Sequence, residues 1–395
     1  MLHYRKYRKF AKPAALFICA LFITSILIVF SLSAVQAETE GQVRYDRQTT
    51  ATPIPTPEPT ATPIPTPDNG MYRGVQCGPY EHPFGTSDVQ TIQNNGGSII
   101  EFAGWSYSAF LPNAITSPNQ VSSNAFTQMD TYASWAKTYG IKVIFTFTTL
   151  SGSGTPTWML NLAGGSASQL EYDLFMGNSR VNSAKTSITC LWQAFATRYA
   201  NNPYVCFDLF NEPFAHNSLI NSGNYRAIET GYANIMTNFI DAIRTINPNQ
   251  IILVDAPWSV YYDYWYGGGI TPVDIPRDII WEFHLYINNI DLTYSVWSGL
   301  INWATQKYVT VLGKPLFIGE YGYDVNGIEG PNPSNWQNIL SSQVTLLKNL
   351  PLWGYQWWAY ANLSEKSNNI LWSSQGYAVY SASDSTWILN TVLHP

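Results

Sequence analysis

The sequence predicts an α/β chain: one (β/α)8 TIM barrel behind an export segment and a proline-rich spacer. Eight short apolar runs recur between residues 73 and 360, most of them roughly 20–50 residues apart, with amphipathic helical patterns between them. Strands that are apolar on both faces belong to parallel sheets covered on both sides by helices. Some 325 residues remain for the domain, which fits eight strand–helix units with a few enlarged loops.

The first run, RGVQCGPY (73–80), is followed by GGSIIEFAGW (96–105) and GIKVIFTFTTL (140–150). Between the last two, Asn124 to Tyr139 sets Phe126, Met129, Tyr132, Trp135 and Ala136 at helical spacing. Ile188, Leu191, Phe195 and Tyr199 mark the helix before the fourth run, Tyr204 to Phe210, whose one polar residue is Asp208. Ile228, Tyr232, Ile235, Phe239 and Ile243 mark the next helix, leading into NQIILVDAPW (249–258). DIIWEFHLYI (278–287), KPLFIGEYGYD (314–324) and PLWGYQWWAY (351–360) complete the set. The competing architecture, an open doubly wound sheet, calls for a glycine-rich phosphate loop after an early strand. Here the glycines of GGSIIEF precede their strand, so the barrel is favoured.

Residues 1–37 read as a secretory signal: five cations (Arg5, Lys6, Arg8, Lys9, Lys12), an apolar stretch Ala14 to Leu32, then Val35 and Ala37 at the small-residue positions of a cleavage site. Left uncleaved, residues 14–32 could instead anchor the chain in a membrane. Residues 38–70 form a linker in which TATPIPTP occurs twice. Proline this dense favours extended polyproline II, and residues 51–68 would span about 55 Å at ~3.1 Å per residue. The folded domain is expected over residues 71–395.

Without the signal, 15 cations face 26 acids and the net charge falls near −11. No basic run survives, which argues against nucleic acid or a strongly anionic polymer as partner. A charged fraction of 12% with 15 tryptophans suits a neutral, carbohydrate-like ligand. Cys77, Cys190 and Cys206 allow at most one disulfide and read as buried thiols. His3, His82, His216, His284 and His394 show no metal-ligand spacing, so no metal and no cofactor is expected. The expected state is a monomer acting on a polysaccharide.

Function in such a barrel gathers at the C-terminal ends of the strands. Glu212 ends the fourth run and Glu320 the seventh. One acid in such a place is usually a helix cap or a loop charge. Two that converge across one mouth are what glycosidic-bond cleavage needs: an acid to protonate the leaving oxygen, and a carboxylate to attack the anomeric carbon.

Asn211-Glu212-Pro213 after the fourth strand, Glu320 in IGEYG, His284 and Tyr286 in HLY after the sixth, and Trp357-Trp358 in the eighth resemble the retaining (β/α)8 glycoside hydrolases. The pattern is that of family 5, the cellulase-like family, or of a close sister family, across the whole domain. The resemblance implies Glu212 as general acid/base and Glu320 as nucleophile. It implies Asn211 on the sugar 2-hydroxyl, Tyr286 donating to Glu320, His284 near Glu212, and Trp358, with Trp357 as the alternative, under the sugar at the point of cleavage. It further implies a non-proline cis peptide at Trp358–Ala359 and carboxyl groups about 5–5.5 Å apart. Trp105, Trp258 and the aromatic run 261–269 are candidate sugar platforms on loops.

Two positions depart from the family pattern. Where the family has an arginine ending the second strand this chain offers Glu101, and where it has a histidine ending the third there are Thr146, Thr148 and Thr149. The leading expectation is a secreted retaining endo-β-glycanase, with β-1,4-glucan ahead of mannan and xylan. A non-catalytic carbohydrate-binding barrel and a transglycosylase using the same residues are the alternatives. Retention of both glutamates weighs against the first.

Overall fold

A computed structural model of the chain describes residues 70–78, 84–150, 154–214, 217–265, 271–286, 293–322, 335–361 and 382–394. Residues 1–69, where the sequence leads one to expect a signal and nearly all of a linker, lie outside the described residues. Among the described residues no helix is long and apolar enough to cross a membrane.

Eight strands form a closed barrel in chain order. They are β1 (Tyr72–Cys77), β2 (Ile99–Trp105), β3 (Lys142–Phe147), β4 (Val205–Asp208), β5 (Ile251–Asp255), β6 (Ile280–His284), β7 (Leu316–Tyr321) and β8 (Gly354–Ala361). Every neighbouring pair is parallel, including β8 with β1. Each expected apolar run holds one strand. The principal surrounding helices are α1 (Thr86–Asn94), α2 (Thr127–Tyr139), α3 (Ala167–Phe175), α4 (Asn182–Arg198), α5 (Tyr225–Arg244), α6 (Tyr294–Ala304), α7 (Trp336–Lys348) and α8 (Ala382–Leu393). The faces read from the sequence point inward: Ile188, Leu191 and Phe195 of α4 and Ile228, Tyr232, Phe239 and Ile243 of α5 are buried. Cys77, Cys190 and Cys206 are buried free thiols.

The barrel interior is layered. Ile99, Ile144, Cys206, Leu253, Ile280 and Phe317 form an apolar floor with Tyr72 and Trp353. Two residues further along β2 to β6 the inward position turns polar: Glu101, Thr146, Asp208, Asp255 and Glu282, all buried. Side chains two apart on a strand share a face, so this second layer lies directly above the floor. Gln76 of β1 and Gln356 of β8 are buried as well, and the Gln356 amide donates to Glu101.

Two bulges set which side chains face the mouth. In β2, Phe102 pairs with Phe145, but Trp105 pairs with Phe147, three residues against two. The extra residue, with Gly104 at φ 93°, turns Trp105 to the outer face. In β7, Phe317 pairs with Glu282 and Glu320 with His284, again three against two. Strict alternation would send Glu320 outward; the bulge brings it in. Gly319 lies at that step, and a Cβ there would stand 1.6 Å from Glu282 Oε1. The vacant side-chain volume of Gly319 therefore houses the Glu282 carboxyl.

Gly319→Ala should destabilise the protein by about 1–3 kcal/mol through this overlap. In a Glu282→Ala background the same change should cost clearly less, because the obstructing carboxyl is gone. Urea denaturation of the four proteins checks this; a neutral Gly319→Ala would refute the packing argument.

Candidate active site

Glu212 follows β4 in a turn that reverses the usual backbone handedness: φ is 44° at Glu212 and 68° at Phe214. Non-glycine residues adopt this region rarely, so the neighbours must impose it. The Glu212 N–H donates to Asp255 Oδ2 at 2.6 Å. The Pro213 carbonyl accepts the Trp258 N–H at 3.0 Å. The Phe214 N–H donates to Glu171 Oε1 at 3.1 Å. Successive backbone groups of one turn are thus pinned by β5, by the loop after it and by α3.

Glu320 enters from the β7 bulge and is 5% exposed. An oxygen of Glu212, a ring nitrogen of His284 and an oxygen of Glu320 all lie within 4.8 Å of one another. This fits a retaining separation of about 5–5.5 Å rather than the roughly 6.5–9.5 Å that admits a water between the acids. His284 Nδ1 is 3.2 Å from Glu212 Oε1 and 3.5 Å from Glu320 Oε2, while Nε2 is 3.5 Å from both Asp255 Oδ1 and Glu282 Oε1. Tyr286 donates its hydroxyl to Glu320 Oε2.

These neighbours decide the charges. Burial alone would strip the proton from His284, but Asp255, Glu320, Glu212 and Glu282 outweigh it and hold the imidazole well above its usual pKa of 6.5. As imidazolium both ring nitrogens donate. Burial pushes Glu320 up to about 7, with Glu212 adding to the rise and His284 and Tyr286 opposing it. Burial likewise raises Glu101, Asp208 and Asp255 well above the carboxylate range, with Glu282 adding to the rise at each. Asp255, Glu282 and His284 also bring one donor atom each within 4.8 Å, but a cation there would have to displace the imidazolium proton.

A model of the cellulase family, glycosyl hydrolase family 5, matches residues 82–364. The chain belongs to glycosyl hydrolase family 5. It is a retaining glycoside hydrolase. Its backbone is similar to that of endo-glycoceramidase II from Rhodococcus sp., in a lactosyl-enzyme intermediate, with a TM-score of 0.58, 16% identity and 75% of each chain covered. It is also similar to XacCel5A (TM-score 0.51, 17% identity, 73% of this chain and 88% of that one). A third similar structure, an endoglucanase, has a TM-score of 0.56, 14% identity and coverage of 82% of this chain and 97% of that one. A search of curated proteins finds no match.

Asn211, Glu212, His284, Tyr286, Glu320 and Trp358 all stand at the C-terminal ends of family 5 barrel strands. Trp358 is half-buried, and strand alternation sets it on the inner face with Gln356. Trp357 faces outward, fully buried, with its ring edge-on to Tyr321 at 5.5 Å. The Trp358–Ala359 peptide is cis. Trp258, 38% exposed, packs its ring 5.0 Å from Tyr261 beside the Glu212 turn.

Trp105 is a correction. It is 2% exposed and packs among Phe110, Tyr132 and Phe145, because the β2 bulge turns it away from the mouth. It has no ring face to offer a sugar. The aromatic run after β5 also differs from an open loop. Val260–Trp265 is a short helix whose Tyr261 hydroxyl donates to the His284 carbonyl and whose Tyr264 packs on Trp303. Residues 266–269 lie outside the described residues.

At the departures from the family pattern, Glu101 lies in the buried polar layer, Thr146 donates to Asp208, and Thr149 donates to Glu171 Oε1 at 3.4 Å. Sequence reading missed Asp255, Glu282 and Glu171. The first two were signalled by a polar residue two places after an apolar one in β5 and β6; Glu171 has no such signal.

Any reaction that uses the Glu320 carboxylate gains rate as pH rises through about 7. Tyr286→Phe removes a donor that favours the charged form, so the acid limb of kcat/KM should move to higher pH. A hydrogen bond to a charged group is worth about 1.5–3 kcal/mol, which corresponds to a shift of roughly 1–2 pH units. A limb unmoved in the Tyr286→Phe profile would detach Glu320 from the rate.

Proposed function

We propose that this enzyme is an exported endo-β-glycanase that cleaves a neutral β-linked polysaccharide, β-1,4-glucan first among them, by double displacement. The reading rests on the pairing of Glu212 with Glu320 across the mouth, with His284 between them. Glu320 attacks the anomeric carbon as the bond to the leaving oxygen breaks, and Glu212 gives that oxygen its proton. Glu212 then takes a proton from water, the water oxygen adds to the anomeric carbon, and Glu320 leaves as carboxylate. Tyr286 on Oε2 holds the Glu320 carboxylate so that its other oxygen can face the sugar.

Several features support a neutral glycan. Asn211 is half-buried immediately before Glu212, where an amide side chain suits a sugar hydroxyl. Trp358 and Trp258 offer ring faces from β8 and from the loop after β5, three strands apart around the mouth. Two platforms set apart suit a chain running through the site better than a single terminal sugar. The apolar stretch and proline-rich spacer of residues 1–70 support export of the domain away from a surface.

A panel of β-glucan, mannan, xylan and mixed-linkage glucan identifies the polymer, and the likeness to an endo-glycoceramidase adds a glycosphingolipid arm. The roles separate by leaving group. Glu212→Ala should cripple polysaccharide cleavage by at least about 10²-fold, since acid catalysis supplies typically 10²–10⁴-fold. A dinitrophenyl glycoside should still form the covalent intermediate, which then accumulates. Azide, which needs no base, should restore turnover with retained configuration. Glu320→Ala should form no intermediate with either substrate, and its azide product should be inverted. The opposite azide stereochemistry would exchange the two roles, and undiminished hydrolysis in both variants would end the reading.

A further inference from the structure

Glu171 lies on α3, outside the barrel strands. Its carboxyl is fully buried, so it cannot touch substrate. It nevertheless gathers three donors. Oε1 accepts the Phe214 N–H at 3.1 Å and the Thr149 hydroxyl at 3.4 Å, and Oε2 accepts the Asn217 side-chain amide at 2.9 Å. The same Asn217 amide donates to the Ser168 carbonyl of the α3 segment at 2.9 Å. Below it, the Phe214 ring is buried 4.9 Å from Phe175, the last residue of α3. A single helix therefore grips the distal side of the Glu212 turn by backbone, amide and ring.

Asp255 grips the proximal side through the Glu212 N–H. The two left-handed residues of the turn, Glu212 and Phe214, thus each give their N–H to a buried carboxylate from a different element. Released, such residues would relax toward the ordinary right-handed or extended regions. That rotation would carry the Glu212 carboxyl off its position beside His284.

We propose that Glu171 is a positioning residue for the acid/base carboxylate, holding the Glu212 turn in its left-handed form from outside the barrel. The inference rests on the reading of Glu212 as acid/base. A misplacement near 1 Å can cost on the order of 10²-fold in rate. The loss should fall on the step that needs a proton delivered, because Glu320 sits on β7 and is held by His284 and Tyr286 of β6 and the residues just after it.

The test compares the full-length protein with Glu171→Ala, Glu171→Asp and Glu171→Gln, using for the sugar selected by the panel both its oligosaccharide and its dinitrophenyl glycoside. Glu171→Ala should lower kcat/KM on the oligosaccharide by about 10–100-fold and on the dinitrophenyl glycoside by less than about threefold. With the latter substrate, azide should raise kcat, since deglycosylation also needs Glu212. Glu171→Asp draws the carboxylate back by one methylene yet keeps the helix and the charge. It should show the same split more mildly, and it stands in if the alanine variant does not fold. Glu171→Gln keeps an oxygen for the Phe214 N–H and should recover most of the oligosaccharide rate. A merely structural carboxyl would lower both substrates in parallel, and that result overturns the proposal, as does an oligosaccharide rate within twofold of the unmodified enzyme. Glu212→Ala is run alongside. If it lacks the leaving-group split, the acid/base reading fails; if it shows the split and the Glu171 variants do not, only the present inference fails.

Discussion

The site depends on one imidazolium held among acids. His284 faces Glu212, Glu320, Asp255 and Glu282 at 3.2–3.5 Å, inside a barrel whose floor is apolar. Charge buried in such surroundings is costly unless paired. The carboxylates hold the proton on His284, and His284 in turn lowers the cost of charge on Glu320, Asp255, Asp208 and Glu101. Remove the ring's charge, and the acids are left to share protons among themselves. The positions of the other side chains follow from this pairing: Gly319 gives up its side chain to admit Glu282, and Asp255 turns its second oxygen to the Glu212 turn.

Much of this was legible in the sequence, for a physical reason. A strand covered on both faces must be apolar over its whole length, and eight such runs at barrel spacing admit few other folds. Glu212 and Glu320 stood out because two acids ending strands of one barrel converge across its mouth, which a single cap or loop charge does not do. The failures have physical reasons too. Trp105 ends its strand in the right place for a platform, but one extra residue in β2 reverses its face. A bulge is a backbone event, and only the partner strand reveals it. Glu171 was illegible for a different reason: its partners lie 22 to 46 residues away and two of the groups it meets belong to the turn after β4.

Glu101 stands where the resemblance to family 5 leads one to expect an arginine, and this bears on how the Glu320 carboxyl is kept charged. An arginine would offer Glu320 a fixed positive neighbour. Glu101 instead adds another acid to the layer below, and burial with the nearby Glu282 and Asp208 keeps it well above its usual pKa. Gln356 donates to Glu101, and at Glu320 burial and Glu212 raise the carboxyl while His284, Tyr286 and Gln76 oppose them. Burial, with Glu212 adding to it, leaves Glu320 near 7 rather than in the ordinary carboxylate range.

That position has a thermodynamic consequence. A carboxyl whose folded pKa exceeds its unfolded value binds protons more tightly in the folded state. Its contribution is full below the unfolded pKa of about 4 and is lost as pH rises through the folded one. Glu320, Glu171, Asp255, Asp208 and Glu101 are all raised, so each makes the folded state less favourable as the medium moves from acid to neutral. In the proposed double displacement Glu320 acts in its ionised form, and that is the form burial in the barrel disfavours. Stability at acid pH and activity at neutral pH are therefore set against each other by the same buried carboxylate, with the His284 imidazolium as the group that narrows the gap between them.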